Sequence, residues 1–207
     1  MGGGKGRGRD QVICFAAAAD RQRKATPMPR HIALLRAVNV AGAGRLPMAE
    51  LRAMATALGF GDPQTLLASG NLVFDAPDHP EPGPRLQAEL EAQLGLKTLV
   101  ITRSPQAWAA MIAANPFPDM ARERPNALLA MPLAAAPALG AVDALRAAIP
   151  GQEAVELVGC DLFVAYRDGM GASKLDNALI ERKLGVRGTG RNWNTVLKLA
   201  AMTASDL

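Results

Sequence analysis

From residue 31 onward, apolar and polar positions follow two periods, one typical of strands and one typical of helices. The run HIALLRAVNV has the length of a strand, and MAELRAMATALGF places its apolar residues at helical spacing before Gly59. Two short apolar runs in QTLLASGNLVFDA surround a turn at residues 69–71, GPRLQAELEAQLGL returns to the helical period, and KTLVITRS is apolar again. This half predicts the element order β-α-β-β-α-β.

The second half repeats the same order of periods. SPQAWAAMIAANPF predicts a linking helix with Ser104 as its N-cap, and the last helix begins near Trp193. Between them, NALLAMPL, AVELVGCDLFVAYRDG and RGTGR predict strands, while ALGAVDALRAAI and SKLDNALIERKLGV predict helices. The sequence therefore predicts an α+β fold of two tandem ferredoxin-like (α/β-plait) domains. The expected divisions are a disordered basic tail at 1–30, a first domain at 31–103, a linking helix and loop at 104–125, and a second domain with a C-terminal helix at 126–207.

The net charge of +4 belongs to the tail rather than to the folded body. Residues 1–30 hold seven Lys or Arg against two Asp, a balance of +5, so the remaining chain balances to −1. The glycine-rich, charged stretch MGGGKGRGRD buries too little surface to fold, and we expect the tail to be dispensable for folding. A body without net positive charge and with 4% aromatic residues is not expected to bind nucleic acid.

The run QVICFAAAAD follows a basic start, as in a signal peptide, but it is short and charged residues follow it closely. A flexible extension upstream of an alternative start at Met28 is the favoured interpretation. No apolar run reaches the roughly 20 residues of a membrane span. Because Cys14, Cys160, His31 and His79 form no disulfide framework and no metal-ligand spacing, we expect a cytoplasmic protein without metal or cofactor.

Polar residues interrupt the apolar strands of the first half. Arg36 lies in a predicted central strand, on the face of Val38 and opposite Asn39. Since a buried unpaired charge is costly, Arg36 is either paired, for example between domains, or part of a site. Asn71 closes the turn at residues 69–71, where glycine and asparagine tolerate positive φ, and it is also a candidate site residue.

The glycine-rich loop DGMGASK enters a predicted helix. Ser173 is a natural N-cap, Lys174 adds charge, and the free N–H groups of a first helical turn can hold an anion. The spacing is not that of a P-loop, and an ordinary connection between a hairpin and a helix explains the loop equally well.

A second polar cluster, RNWNT, begins the last helix. Trp193 falls on the apolar stripe of that helix, and Asn192 is the predicted N-cap. Arg191 and Asn194 exceed what one cap requires. Several polar groups at a helix N-terminus suit an anion, although a purely structural cluster is the alternative.

The runs LLRAVNV, SGNLVF, NPFP, GMGASKLDNALIERKLG and RNWNTVLKL, in this order, resemble the bacterial family called domain of unknown function 1697. The resemblance covers about residues 31–202 and implies tandem ferredoxin-like domains and no established activity. The first motif of that family is typically L-L-R-G-I-N-V-G-G, whereas Ala37 and Ala41 occupy its glycine positions here. If those glycines admit a ligand close to the backbone, this chain would bind it less well.

Several classes of function fit these residues. The favoured one is a binding protein for a small anionic ligand bearing phosphate or carboxylate, with Lys174 and Arg191 flanking one cleft that Arg36, Asn39 and Asn71 reach. An enzyme acting on such a substrate requires the same cleft and a titratable base, but no Ser-His-Asp or Cys-His arrangement can be assembled. A nucleic-acid-binding protein or a structural or interaction protein is the remaining alternative. The oligomeric state stays open.

Overall fold

The computed structural model of the protein describes residues 30–40, 45–76 and 81–204. The predictions made for residues 1–29, including Cys14 and Met28, and for Ala41 and His79 lie outside these ranges. Within the described part of the chain, no helix is both long enough and apolar enough to cross a membrane.

Both halves follow the predicted order of elements. The first half comprises β1 (Arg30–Leu35), α1 (Met48–Ala57), β2 (Gly61–Leu66), β3 (Asn71–Asp75), α2 (Pro82–Leu94) and β4 (Val100–Arg103). Two helices connect the halves, α3 (Pro105–Ala113) and α4 (Pro118–Glu123). The second half comprises β5 (Leu128–Pro132), α5 (Ala141–Arg146), β6 (Ala154–Val158), β7 (Asp161–Ala165), α6 (Asn177–Leu184), β8 (Arg191–Asn192) and α7 (Trp193–Thr203).

The strands form two four-stranded antiparallel sheets. Their orders are β2-β3-β1-β4 and β6-β7-β5-β8, so β1 and β5 occupy equivalent inner positions. Strand β1 pairs with β3, where His31 lies opposite Phe74, and with β4, where Ile32 lies opposite Arg103. The predicted α+β class is confirmed.

Each sheet packs two helices on one face, α1 and α2 or α5 and α6, and turns its other face toward the opposite half. On the helix-covered face of the first sheet, α1 and α2 bury Leu51 and Leu86 against Phe74. The other faces share one apolar cluster, to which α3 and α7 contribute Trp108 and Trp193. The sheet residues of this shared cluster are Ile32, Leu34, Val73, Leu128, Ala130, Phe163 and Ala165. The sheet faces not covered by α1, α2, α5 and α6 therefore bury each other, and the two halves form one packed body.

Two of the three predicted helix caps are confirmed, and one is wrong. Ser104 accepts a hydrogen bond from a backbone N–H of the first turn of α3, and Asn192 does the same for α7, at 3.1 and 3.0 Å. Helix α6 begins later than expected, because Asp176 caps it by accepting from Leu179 N at 2.7 Å. The Ser173 hydroxyl instead accepts from Leu175 N, at 2.9 Å, in the extended segment before the helix.

The chain leaves β1 through two left-handed residues. Ala37 and Asn39 have φ values of 52° and 55°, so the strand ends at Leu35 and its alternation stops. Val38 consequently packs into the cluster of Leu35, and the prediction that it shares the face of Arg36 is wrong.

Candidate functional site

A cleft at the junction of the two halves contains two of the predicted site residues. Arg36, from the end of β1, and Arg191, from β8, line a cavity of about 230 Å³. Ser69 from the β2–β3 turn and Asn177 from the first turn of α6 line it as well, together with the segment Gly188-Thr189-Gly190. The cleft is therefore built by loops and strand ends of both halves.

Arg191 forms the floor of this cleft and is 8% exposed. Its Nε donates to Asn71 Oδ1, and its Nη2 donates to three main-chain oxygens of the first half, those of Leu35, Ser69 and Gly70, at 3.0–3.2 Å. Its Nη1 donates within the second half, to Thr189 Oγ1 at 2.7 Å and Gly190 O at 2.9 Å. The guanidinium is a crosslink between the halves, which corrects the expectation of an exposed arginine free to hold a ligand.

Among the residues that the structure describes, no carboxylate forms an ion pair or a hydrogen bond with Arg191. All six of its acceptors are neutral, four of them main-chain carbonyls. Burial lowers the pKa of Arg191 to about 10, because the buried site disfavours the charged form. At neutral pH the side chain still carries its charge, and the cleft therefore has a positively charged floor.

Arg36 forms one wall of the cleft and is paired across the halves. Its Nε and Nη2 donate to the two carboxylate oxygens of Glu181, on α6, at 2.7 and 2.6 Å. This bidentate hydrogen bonding raises the pKa of Arg36 above its ordinary value, against the opposing effect of burial. The Arg36 side chain remains 32% exposed, and its Nη1 has no hydrogen-bond partner among the described residues. Of the two arginines, Arg36 is the one with donors still available to a ligand.

The two asparagines of the first half brace the loops around the cleft. Asn71 is fully buried, donates to Leu66 O at 2.7 Å and accepts from Arg191, so it positions the guanidinium. Asn39 donates to Leu46 O and Ala68 O, both at 2.8 Å, and accepts from Leu46 N at 2.7 Å. These bonds hold Asn39 in its left-handed conformation and use its amide within the protein.

The remaining predicted residues lie elsewhere. Ser173 and Lys174 line a separate cavity of about 200 Å³ with Glu153 and Asp168, and the Ser173 hydroxyl donates to Glu153. The structure therefore places Lys174 in a cavity that Glu153 and Asp168 also line, and not in the cleft of Arg191. Two further predicted residues begin α7: Asn192 is its cap, and the exposed Asn194 has no side-chain hydrogen bond within the described ranges.

Sequence reasoning missed the partners that decide the chemistry of the cleft. Glu181 is separated from Arg36 by 145 positions, and Thr189, which holds Arg191, also donates to Leu35 O of the first half at 3.3 Å. Glu181 lies within the run GMGASKLDNALIERKLG, where no role was assigned to it, and Thr189 lies outside the motifs that carry the resemblance. Only an expectation that an arginine on an interdomain face requires an acidic partner could have directed attention to Glu181.

Comparisons with known proteins give a family and a fold. A family model described as "Protein of unknown function (DUF1697)" matches residues 28–163. The expected resemblance reached about residue 202, so the two C-terminal motifs lie outside the matched range. No curated protein matches the chain significantly. The chain is similar to a solved structure, that of the conserved bacterial protein SP0830 from Streptococcus pneumoniae, with a TM-score of 0.64 and 20% sequence identity. The similarity covers 85% of this chain and 99% of that protein, and at this identity it shows the fold alone.

Proposed function

The chain belongs to the family described as protein of unknown function DUF1697, and we propose from its own geometry that it binds a small anionic ligand, bearing a carboxylate or phosphate group, in the cleft between its halves. One observation carries the proposal: within the described part of the chain, all hydrogen-bond partners of the buried Arg191 charge are neutral. The positive charge at the floor of the cleft attracts an anion more strongly than the same charge would in bulk water, because the surrounding protein screens the charge poorly.

The ligand contacts the exposed parts of the cleft rather than its floor. We expect its anionic group to accept from Arg36 Nη1 and to lie near the Ser69 hydroxyl and the first turn of α6 at Asn177. Arg191 contributes its charge from below, and Asn71 holds it in place. In this proposal Asn39, Ser173, Lys174, Asn192 and Asn194 have no contact with the ligand.

Binding is better supported than catalysis. Among the described residues that line the cleft, the ionisable side chains are Arg36 and Arg191, neither of which serves as a general base at neutral pH. The carboxylate of Glu181, at the wall of the cleft, is engaged by Arg36 through both oxygens. An enzymatic reaction on the same anion stays the alternative, and it requires a base delivered by the substrate or by solvent.

A thermal-shift titration with acetate, methyl sulfate and methyl phosphate tests the proposal. At least one of these anions should raise the unfolding temperature of the wild type in a concentration-dependent way. Arg36→Gln should weaken that binding by about 10- to 100-fold, because a charge-assisted hydrogen bond contributes on the order of 1.5–3 kcal/mol.

The matched control is Arg103→Gln. Arg103 donates to Asp161 at 3.3 Å, so this variant also breaks an ion pair between the halves and leaves a carboxylate unpaired, but it does not touch the cleft. It should bind anions as the wild type does. A wild type that none of the three anions stabilises would exclude the proposed binding function.

The division of the chain is part of the same proposal. We assign each sheet to a ferredoxin-like domain, at 31–103 and 126–207, joined by residues 104–125. The β-α-β-β-α-β order around each sheet supports this assignment. A cytoplasmic location also stays a prediction, which the free, exposed thiol of Cys160 favours.

A further inference from the structure

We infer that Glu181 restricts the cleft to ligands whose recognised group carries a single negative charge; this inference rests on the proposed anion binding. Glu181 extends from α6 to the wall of the cleft, and its side chain is 14% exposed. It occupies the Nε–Nη2 edge of Arg36 with both of its oxygens, in the bidentate arrangement that is frequent for arginine and carboxylate.

The Glu181 carboxylate is held firmly in this position. Besides the two hydrogen bonds from Arg36, its Oε1 accepts from Gly188 N at 3.3 Å, and Gly188 itself lines the cleft. The carboxylate is therefore an internal anion bound at the edge of the proposed site. A ligand must accept from the other edge of Arg36 while the negative charge of Glu181 remains nearby.

A count of charges sets the class of ligand. Arg36 and Arg191 are positive and Glu181 is negative, so these three groups sum to +1. One negative charge on the ligand neutralises the cleft. A second negative charge on the ligand would have no cation to pair with. It would also lie near the partly buried carboxylate of Glu181, where solvent screening is weak. Carboxylates, sulfate esters and phosphodiesters meet this condition, whereas phosphate monoesters, which carry up to two negative charges at pH 8, do not.

A comparison of methyl sulfate with methyl phosphate tests the effect of ligand charge at nearly constant ligand shape. Both are tetrahedral oxyanions with one methyl group, and at pH 8 they carry about one and about two negative charges. The wild type should bind methyl sulfate at least as tightly as methyl phosphate in calorimetric or thermal-shift titrations. In Glu181→Gln, the affinity for methyl phosphate should rise by about tenfold relative to methyl sulfate, because a nearby repulsive charge has been removed.

The substitution preserves the local geometry as far as any can. Glutamine keeps one oxygen that can accept from Arg36 and from Gly188 N. The matched control is Asp161→Asn, which changes the net charge by the same amount and also neutralises the acid of an ion pair between the halves. Asp161→Asn should leave the preference between the two anions unchanged.

Three results would overturn the inference. The first is an unchanged preference in Glu181→Gln, and the second is an equal change in Asp161→Asn. The third is a wild type that binds methyl phosphate about tenfold more tightly than methyl sulfate, a measurement that does not depend on whether the variant folds. If the wild type binds methyl phosphate but one of these three results is found, only this inference is excluded. If the wild type binds no anion, the proposed function is excluded as well.

Discussion

Replacing Arg191 by alanine should destabilise the protein strongly, because the side chain connects the two halves from a buried position. The carbonyl oxygens of Leu35 and Gly70 each keep another donor when the guanidinium is removed. Asn71 Oδ1 and Ser69 O lose the donor that they have among the described residues. Each buried acceptor left without a donor costs about 1–3 kcal/mol, and relief of the buried charge offsets part of the sum, so we expect a loss of about 3 kcal/mol.

Urea denaturation at pH 7.5 measures this loss as a change in the free energy of unfolding. For a chain of this size, about 3 kcal/mol corresponds to a fall of roughly 6–12 °C in the unfolding temperature. Arg191→Lys should lie between the wild type and Arg191→Ala, because an ammonium keeps the charge but cannot reach all six acceptors. Arg182→Ala, at an exposed position of α6, is the control and should stay within about 0.5 kcal/mol of the wild type. An Arg191→Ala variant within about 1 kcal/mol of the wild type would refute the crosslink.

Three further predictions concern stability. Ala37→Gly should stabilise the protein by about 1 kcal/mol in thermal unfolding, because φ is 52° at this position. The control Ala53→Gly, at an exposed position of α1, should destabilise it by about 1 kcal/mol, and a loss of stability in Ala37→Gly would contradict the reasoning. Gly70→Ala should cost more than about 2 kcal/mol in urea unfolding, because φ is 74° and its Cβ would lie 2.5 Å from Val38 Cγ2; a change below about 1 kcal/mol would disprove the close packing. Burial lowers the pKa of His31 below 6.5, so the unfolded chain takes up the proton first and stability falls as the pH drops below about 6.5. His31→Gln should show a shallower fall, and equal slopes would argue against it.

The order of strands and helices could be predicted from the sequence because the patterns that determine it are local. The two hydrophobic periods identify strands and helices within windows of about ten residues, and a cap such as Ser104 requires only its own helix. The α6 cap was misplaced because Ser173 and Asp176 are both good capping residues, and only the tertiary bond of Ser173 to Glu153 separates them. The end of β1 was misplaced because alanine gives no local sign of a left-handed conformation.

Only part of the site could be predicted from the sequence, because the residues that determine it are far apart in the chain. Arg36 stood out as a charge in an apolar strand, and pairing between the halves was one of its two interpretations. Its partner Glu181, however, lies on a helix of the other half, and nothing in the run GMGASKLDNALIERKLG around it links it to Arg36. Arg191 resembled an exposed ligand-binding residue because it precedes a helix cap. Its burial arises from the packing of the β2–β3 turn against β8, which periodicity does not reveal.

The alanine at position 37 connects the resemblance to the family with the geometry of the cleft. The family motif usually has glycine there, for which the sequence suggested room for a ligand near the backbone, and the structure adds backbone conformation as a second explanation. A φ of 52° is sufficient by itself to favour glycine, yet Ala37 also lines the cleft beside Arg36. Ala37→Gly separates the two explanations when stability and anion affinity are both measured. Because the ligand is expected at Arg36 Nη1, Ser69 and Asn177, we expect stability to rise while affinity stays within about twofold of the wild type. A rise in affinity of tenfold or more would instead show that the methyl group of Ala37 occupies part of the ligand's space.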